Sequence, residues 1–160
     1  MIRIATFQDC LAYFAELKVP HKIDAATQLI EIPTELPPLV GQHYIRFEKA
    51  LPYVQLIQPM VRDVPADRRA EVEHAICVAN NTVPLPGFAY QYQNNFIYYR
   101  LTLPMYEEGM LATSFQKQQL SLLKNARDFL IPFRQVVDGK PGSQILDLAV
   151  AFATASRPGA

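Results

Sequence analysis

Gly-Phe-Ala-Tyr-Gln-Tyr-Gln-Asn-Asn-Phe-Ile-Tyr-Tyr-Arg-Leu-Thr-Leu, residues 87–103, is the most informative segment of this chain. We interpret it as a β-hairpin with Asn94-Asn95 as a two-residue turn, because both central positions of a type I′ turn need positive φ, which asparagine tolerates. This register places Gln91 opposite Tyr98. One face is then entirely apolar or aromatic: Phe88, Tyr90, Tyr92, Ile97, Tyr99 and Leu101. The other face is mixed: Gln91, Gln93, Phe96, Tyr98 and Arg100.

The composition bounds the class of protein. The chain has 160 residues, half of them hydrophobic, so it is long enough to bury about two-thirds of its unfolded surface in one domain. Lysine and arginine total 15, as do aspartate and glutamate, so the formal net charge is zero. A nucleic-acid binder usually carries a basic excess, and its absence argues against a nucleic-acid partner. Zero net charge also permits self-association.

Hydrophobic periodicity gives the order of elements. The spacing predicts helices over 6–18, 65–79 and 114–137, and strands over 21–33, 42–49 and 53–62 in addition to the hairpin. The order α-β-β-β-α-β-β-α predicts an α+β fold of two layers, an antiparallel five-stranded sheet with flanking helices. We expect one domain over residues 1–138. A linker and an apolar C-terminal tail over 139–160 would follow, docked or partly disordered.

Local signals refine these elements. Thr6 with Asp9 three residues later predicts a capping box at the start of the first helix. Pro59 cannot donate to a ladder, so its strand should lie at an edge or be bulged there. Pro132 lies well inside the longest helix and predicts a kink or a break.

Three segments together resemble the YbjN family, which is described as regulators of sensory transduction and has the fold of type III secretion chaperones. The segments are residues 23–32, the helix end Ile-Cys-Val-Ala-Asn-Asn at 76–81, and the hairpin at 87–101. The resemblance covers roughly residues 6 to 137. It implies a small cytoplasmic protein with no catalytic residues to carry over. Secretion chaperones of this fold are usually acidic homodimers that hold an unfolded client segment extended, and the neutral charge of this chain argues against that role proper.

No catalytic or metal-binding pattern stands out. His21, His43 and His74 lie on different elements and are interpreted as surface or capping histidines. Cys10 and Cys77 match no metal or redox spacing, and we expect both to be reduced core thiols. Neighbouring glutamates are interpreted as solvated faces. We therefore expect no cofactor, no metal and no enzymatic activity, with a site assembled from scattered residues as the remaining enzymatic alternative.

The mixed face of the hairpin is the predicted interaction surface. Phe96, Tyr98, Arg100 and Gln91 are its candidate binding residues, because aromatic and arginine side chains are enriched at protein interfaces. Either the 114–137 helix or another chain would cover this face, with helix cover slightly favoured. The leading hypothesis is a non-catalytic, chaperone-like or regulatory protein-binding domain, acting as a homodimer.

A small-ligand-binding domain is the alternative. In it the aromatic face, with Phe88, Tyr90, Tyr92 and Tyr99, would line a pocket beneath the long C-terminal helix. No segment approaches the ~20 apolar residues of a membrane span, and the N-terminal residues lack the apolar core of a signal peptide. We therefore expect a cytoplasmic protein without a membrane partner.

Overall fold

The computed structural model describes residues 2–156, which form four α-helices and eight strands. The helices are α1 Phe7–Glu16, α2 Arg69–Asn80, α3 Ala112–Val137 and α4 Ile145–Ala155, with short 3-10 turns at Ala66–Arg68 and Gly142–Gln144. The strands are β1 Arg3–Ile4, β2 Lys22–Asp24, β3 Leu29–Leu36, β4 Leu39–Phe47, β5 Tyr53–Val61, β6 Phe88–Gln91, β7 Phe96–Pro104 and β8 Met110–Leu111.

Six of these strands form one antiparallel sheet in the order β2-β3-β4-β5-β7-β6, while β1 and β8 pair with each other. The α+β class is confirmed, but the predicted count of five strands is wrong. The predicted strand over 21–33 is two strands, because Asp24 turns the chain. Its carboxylate accepts hydrogen bonds from the amides of Ala26 and Thr27, and Gln28 adopts a φ of +52°.

The hairpin is antiparallel as predicted, but its register is shifted by two residues. Gln91 lies opposite Phe96 rather than Tyr98, because the loop has four residues and only Asn95 adopts positive φ, at +49°. The amide of Asn94 donates to Gln91 Oε1, which closes the longer loop. Side chains alternate with a period of two, so this shift leaves each strand residue on its predicted face.

All the main helices lie on one side of the sheet, which we call the inner face. Phe7 of α1 contacts Phe47 with ring centroids 6.0 Å apart, and the rings of Phe129 and Phe133 in α3 lie 4.9 and 5.2 Å from Phe88. The two layers enclose a single hydrophobic cluster. The helix α3 continues through Pro132, so a break does not occur there, and a kink at this position stays a prediction.

The first helix begins as predicted. The Thr6 hydroxyl accepts from the Asp9 amide at 3.2 Å, and the Asp9 carboxylate accepts from the Thr6 amide at 2.9 Å, which confirms the capping box. Cys10 in this helix is buried, and burial raises the pKa of its thiol to about 12. Cys77 is exposed, so its prediction as a core thiol is wrong, because it lies on the side of α2 turned away from the sheet.

Prolines mark where the sheet departs from regular pairing. The β5–β7 register shifts between Pro59 and Val61, which confirms a bulge at Pro59 inside a central strand. Pairing between β4 and β5 covers only Tyr44–Phe47 and Val54–Ile57, so the two strands part beyond Ile57. The first half of β4 therefore pairs only with β3.

Both edges of the sheet are short. Strand β2 has three residues and β6 has four. The side chain of Asn80, at the end of α2, occupies the free edge of β6. Its Nδ2 donates to the Phe88 carbonyl at 2.8 Å, and its Oδ1 accepts from the amides of Gly87 and Phe88 at 3.0 and 2.9 Å.

The C-terminal segment contacts the rest of the chain through the 3-10 turn and α4. The Gly142 amide donates to Glu71 Oε2 at 2.6 Å, and a Cβ at Gly142 would lie 2.1 Å from the Glu71 carbonyl oxygen. Ile145 is fully buried. The predicted domain boundary at residue 138 stays a prediction, and the part of the tail from residue 157 onward lies outside the described residues.

Candidate protein-binding surface

The predicted interaction residues lie together on the side of the sheet opposite the helices, which we call the outer face. Phe96, Tyr98 and Arg100 alternate along β7, and Gln91 is the cross-strand partner of Phe96 on β6. Phe96, Tyr98 and Gln91 are half-buried, and Arg100 is exposed. Their role in binding stays a prediction.

Stacked rings and guanidinium groups give the outer face its local order. The rings of Phe96 and Tyr98 lie 5.7 Å apart. The Arg62 guanidinium lies 5.7 Å from the centre of the Phe96 ring, and that of Arg100 lies 5.9 Å from the centre of Tyr98. Within residues 2–156 neither arginine forms an ion pair, so no carboxylate contact balances either guanidinium at the surface. Cation–π contact holds each planar group in place.

Sequence reasoning missed the other members of this surface. Tyr44, Ile57 and Arg100 are cross-strand partners in one row over β4, β5 and β7. The alternation along β4 and β5 could have placed Tyr44 and Ile57 on the outer face, because each lies between two residues that face the core. Joining them to Arg100 required the strand order, which no single-strand pattern contains. Arg62 follows the bulge, where the alternation no longer predicts a face.

The favoured prediction of helix cover over this face is wrong. Within residues 2–156 the side chains that contact the helices belong to the inner face, such as Phe88, and Tyr99, whose hydroxyl accepts from Asn125 Nδ2 at 2.9 Å. The buried residues of α3 face the inner side of the sheet and the neighbouring helices α2 and α4. The outer face is therefore open.

The aromatic inner face of the hairpin is filled by side chains. The ring of Phe88 lies 4.6 Å from Tyr99 and against two phenylalanines of α3. Tyr90 and Tyr99 are buried, whereas Tyr92 is 60% exposed, because the longer loop carries it past the end of β6. Burial raises the pKa of the Tyr99 hydroxyl, which donates to the Leu85 carbonyl.

A buried polar cluster crosses the inner face where β4 and β5 part. It contains Thr34, His43, Gln58 and Gln119. His43 is only 4% exposed, so its prediction as a surface or capping residue is wrong. It shares the phase of Ile45 and Phe47 along β4, which places it among the core residues. Burial lowers the pKa of His43 from 6.5 to about 4, and its ring is neutral at pH 7.

Two further features of the described residues bear on function. Among residues 2–156, no three His, Cys, Asp or Glu side chains gather closely enough to hold a metal ion. In the same part of the chain, each helix is too short or too polar to span a bilayer.

Comparison with known proteins identifies the fold. No family model matches the sequence, and no curated protein matches it. Among solved structures, the chain is similar to YbjN from E. coli, described as a candidate transcription regulator, with a TM-score of 0.59 over 78% of this chain and 89% of that one. The fold is YbjN-like. The two sequences are 9% identical, so this likeness concerns the fold alone.

A second solved structure is the HopA1–SchA chaperone–effector complex. One of its chains aligns with a TM-score of 0.48 and 13% identity, over 76% of this chain and 94% of that one. The YbjN-like fold predicted from the three sequence segments is thus confirmed by the first comparison.

Proposed function

We propose that this chain is a non-catalytic protein-binding domain, chaperone-like or regulatory, that acts in the cytoplasm as a homodimer. The open outer face carries the proposal. A row of half-buried aromatic and aliphatic side chains runs across the middle of a six-stranded sheet, and no helix within residues 2–156 lies over it. Tyrosine and arginine are the residue types that most often dominate binding energy at interfaces.

The contacts of the outer face favour a protein partner. Arg62 and Arg100 are already stacked on Phe96 and Tyr98, so little side-chain freedom remains to be lost on association. Ile57, which is apolar and half-buried, lies in the same row as Arg100, so an apolar centre has a charged group beside it. This combination matches the apolar core and polar rim of a typical interface.

Self-association is the finer part of the proposal. The net charge is zero, so two copies repel each other little. An isologous pair would bury the Phe96–Tyr98 patch of each copy against the other. The description of YbjN as a regulator supports a regulatory role for the partner-bound state.

The double substitution of Phe96 and Tyr98 by Ser tests the surface. Sedimentation velocity at tens of micromolar, together with crosslinking and pull-down from native lysate, should show a dimer and a captured partner for the wild type. Both should be lost in the double variant. Tyr106→Ser is the matched control, because Tyr106 is 70% exposed in the loop after β7 and lies outside the surface.

A monodisperse wild-type monomer would refute the dimer. Equal capture of the partner by the wild type and the double variant would refute the surface. The stacked rings could also accept nucleobases. Binding of single-stranded RNA that is lost in the double variant would therefore replace a protein partner by a nucleic acid.

The small-ligand alternative lacks the aromatic pocket on which it was based, because Phe88, Tyr90 and Tyr99 are packed in the core and Tyr92 is exposed. A separate cleft of about 630 Å³ lies between the β3–β4 turn, α3 and α4, with Pro37, Ile131 and Phe152 among its walls. Its charged residues, Arg127 and Asp128, pair with each other at 2.9 Å. The cleft therefore offers few free polar groups to orient a ligand, and protein binding remains the function that we propose.

A further inference from the structure

A groove between α1 and α3 is separate from the outer face and lies on the opposite side of the sheet. Its volume is about 180 Å³. Tyr13 and Phe14 form one wall and Leu123 another, while Leu17 and Leu120, both about half exposed, stand at its mouth. His43 and Gln119 also line it, although the two side chains are 4% and 9% exposed. A small apolar groove thus meets buried polar side chains.

In each hydrogen bond of the polar cluster, the donor and the acceptor can be assigned. Gln58 Nε2 donates to the carbonyl oxygens of Gln42 and Pro59, at 3.2 and 2.7 Å, so Gln58 Oε1 must be an acceptor. It accepts from the Thr34 hydroxyl at 3.3 Å. The Thr34 hydroxyl has one hydrogen, which it donates to Gln58 Oε1. Toward His43 it is therefore an acceptor, and it accepts from His43 Nδ1 at 2.9 Å.

This direction fixes the state of the imidazole. With the proton on Nδ1 and the ring neutral, His43 Nε2 holds a lone pair that points toward α3. Gln119 Nε2 donates to it, but the distance is long, at 3.4 Å. The Oε1 atom of Gln119 accepts no hydrogen bond from residues 2–156, and it is not among the fully enclosed polar atoms. Three groups therefore converge on the groove: the Gln119 Oε1 acceptor, the weakly hydrogen-bonded lone pair of His43 Nε2, and the second N–H of Gln119 Nε2.

We propose that the α1–α3 groove is a binding site for a free small molecule with one aromatic ring and one hydroxyl group, of the phenol class. The hydroxyl donates to His43 Nε2 and accepts from Gln119 Nε2, which replaces the 3.4 Å contact by two hydrogen bonds of ordinary length. The ring packs against Tyr13 and Phe14. This inference goes beyond protein binding by the outer face and does not depend on it.

Size and shape select this class. An apolar cavity of roughly 150 Å³ holds one benzene ring. The groove is slightly larger and adds polar groups at one end, which matches a ring with a single hydroxyl. Aromatic walls favour an aromatic ligand through edge-to-face contact. A carboxylate is disfavoured, because a buried neutral imidazole and an amide supply no positive charge to pair with it.

Phenol is the probe, and toluene is its isostere without the hydroxyl. Each is titrated into ¹⁵N-labelled full-length protein while amide shifts and the His43 imidazole shifts are followed by NMR. We expect saturable phenol binding with a dissociation constant on the order of 1 mM, and about tenfold weaker toluene binding. The largest amide shifts should fall on α1 and α3 around the groove, with a change at His43 Nε2.

The Gln119→Leu variant removes the amide with little change in volume and should abolish the preference for phenol over toluene. Gln118→Leu, a neighbour on α3 that does not line the groove, should retain it. Amide spectra verify that each variant is folded, and His43→Phe provides a second removal of the polar floor.

Equal affinity of the wild type for phenol and toluene would overturn the role of the hydroxyl. Equal affinity for phenol and cyclohexanol would overturn the aromatic part. Shifts that do not saturate, or that Gln119→Leu and His43→Phe both leave unchanged, would overturn the site itself.

Discussion

His43 is a neutral imidazole in the core, and its protonation is linked to folding. The folded-state pKa of about 4 lies below the usual 6.5, so the unfolded chain binds a proton at His43 more readily than the folded chain does. Stability therefore rises with pH between about 4 and 6.5 and falls on acidification through this window. The loss from this one group should be about 2 kcal/mol between pH 7 and pH 5.

Replacing His43 by Gln should remove this contribution to the pH dependence. Urea denaturation at pH 7 and pH 5 measures it as a smaller difference in the free energy of unfolding than in the wild type. His74→Gln, at an exposed position of α2, should behave like the wild type. A His43→Gln variant that loses as much stability as the wild type on acidification would mean that the imidazole is not buried.

The burial of His43 was within reach of sequence reasoning, since it shares the phase of Ile45 and Phe47 along one strand. Because histidine is polar, we expected it at the surface. Its burial is possible because other buried side chains supply its hydrogen bonds. Thr34, Gln58 and Gln119 come from three other elements. A sequence pattern along one strand does not show that such partners will meet.

Among the secondary-structure elements, the tie between α2 and β6 depends on one side chain. Asn80 makes three hydrogen bonds to the backbone of Gly87 and Phe88, as a neighbouring strand would. Its removal leaves two amides and one carbonyl at the free edge of β6 without these partners. Because β6 has only four residues, it has few other contacts to hold it in register.

Asn80→Ala should lower the free energy of unfolding by about 2 kcal/mol and increase amide exchange in β6. Thermal denaturation and hydrogen exchange measure the two effects. Asn81→Ala is the matched control, because the neighbouring asparagine is exposed and makes only a 4.0 Å contact with Cys77 Sγ; it should change stability by less than about 0.5 kcal/mol. Equal losses in the two variants would contradict the tie.

The hairpin shows which part of an element a sequence pattern determines. Alternation places each strand residue on a face, and the faces of Phe96 and Tyr98 are as predicted. A shift of two residues leaves that alternation unchanged, so the pattern does not distinguish a two-residue turn from a four-residue loop. The longer loop depends on Asn95, whose Oδ1 accepts from the Tyr90 hydroxyl at 3.0 Å.

At the scale of the whole molecule, the order of the main elements and the class of fold followed from periodicity and prolines. The open outer face did not, because strand order and the side chosen by each helix are set by long-range packing. The four candidate binding residues were placed together correctly, but Arg62, Tyr44 and Ile57 joined them only through the strand order.

The predicted domain boundary at residue 138 can be tested by shortening the chain. Ending the chain there removes the buried side chain of Ile145 and the hydrogen bond between Gly142 and Glu71. Residues 1–138 should still fold, because the sheet and α1 to α3 are retained, but with about 3 kcal/mol less stability. Circular dichroism and urea denaturation measure this.

Two single substitutions in the full chain show how much of the stability loss comes from the buried side chain of Ile145. Ile145→Ala should reproduce a large part of the loss, while Val150→Ala, at a position 67% exposed on the same helix, should reproduce little of it. A shortened chain without a cooperative unfolding transition would show that the domain extends past residue 138.

The short edges of the sheet have a consequence for how copies of this protein can meet. Strand β2 offers three residues for lateral pairing, and at β6 an asparagine already fills part of the place that an incoming strand would take. Lateral pairing at β2 and β6 themselves is therefore limited to a few residues. Residues 32–36 of β3 extend past β2, and residues 101–104 of β7 extend past β6, without a further strand beside them within residues 2–156. Copies that meet edge to edge can pair only over these two short stretches, whereas the outer face offers a broader area.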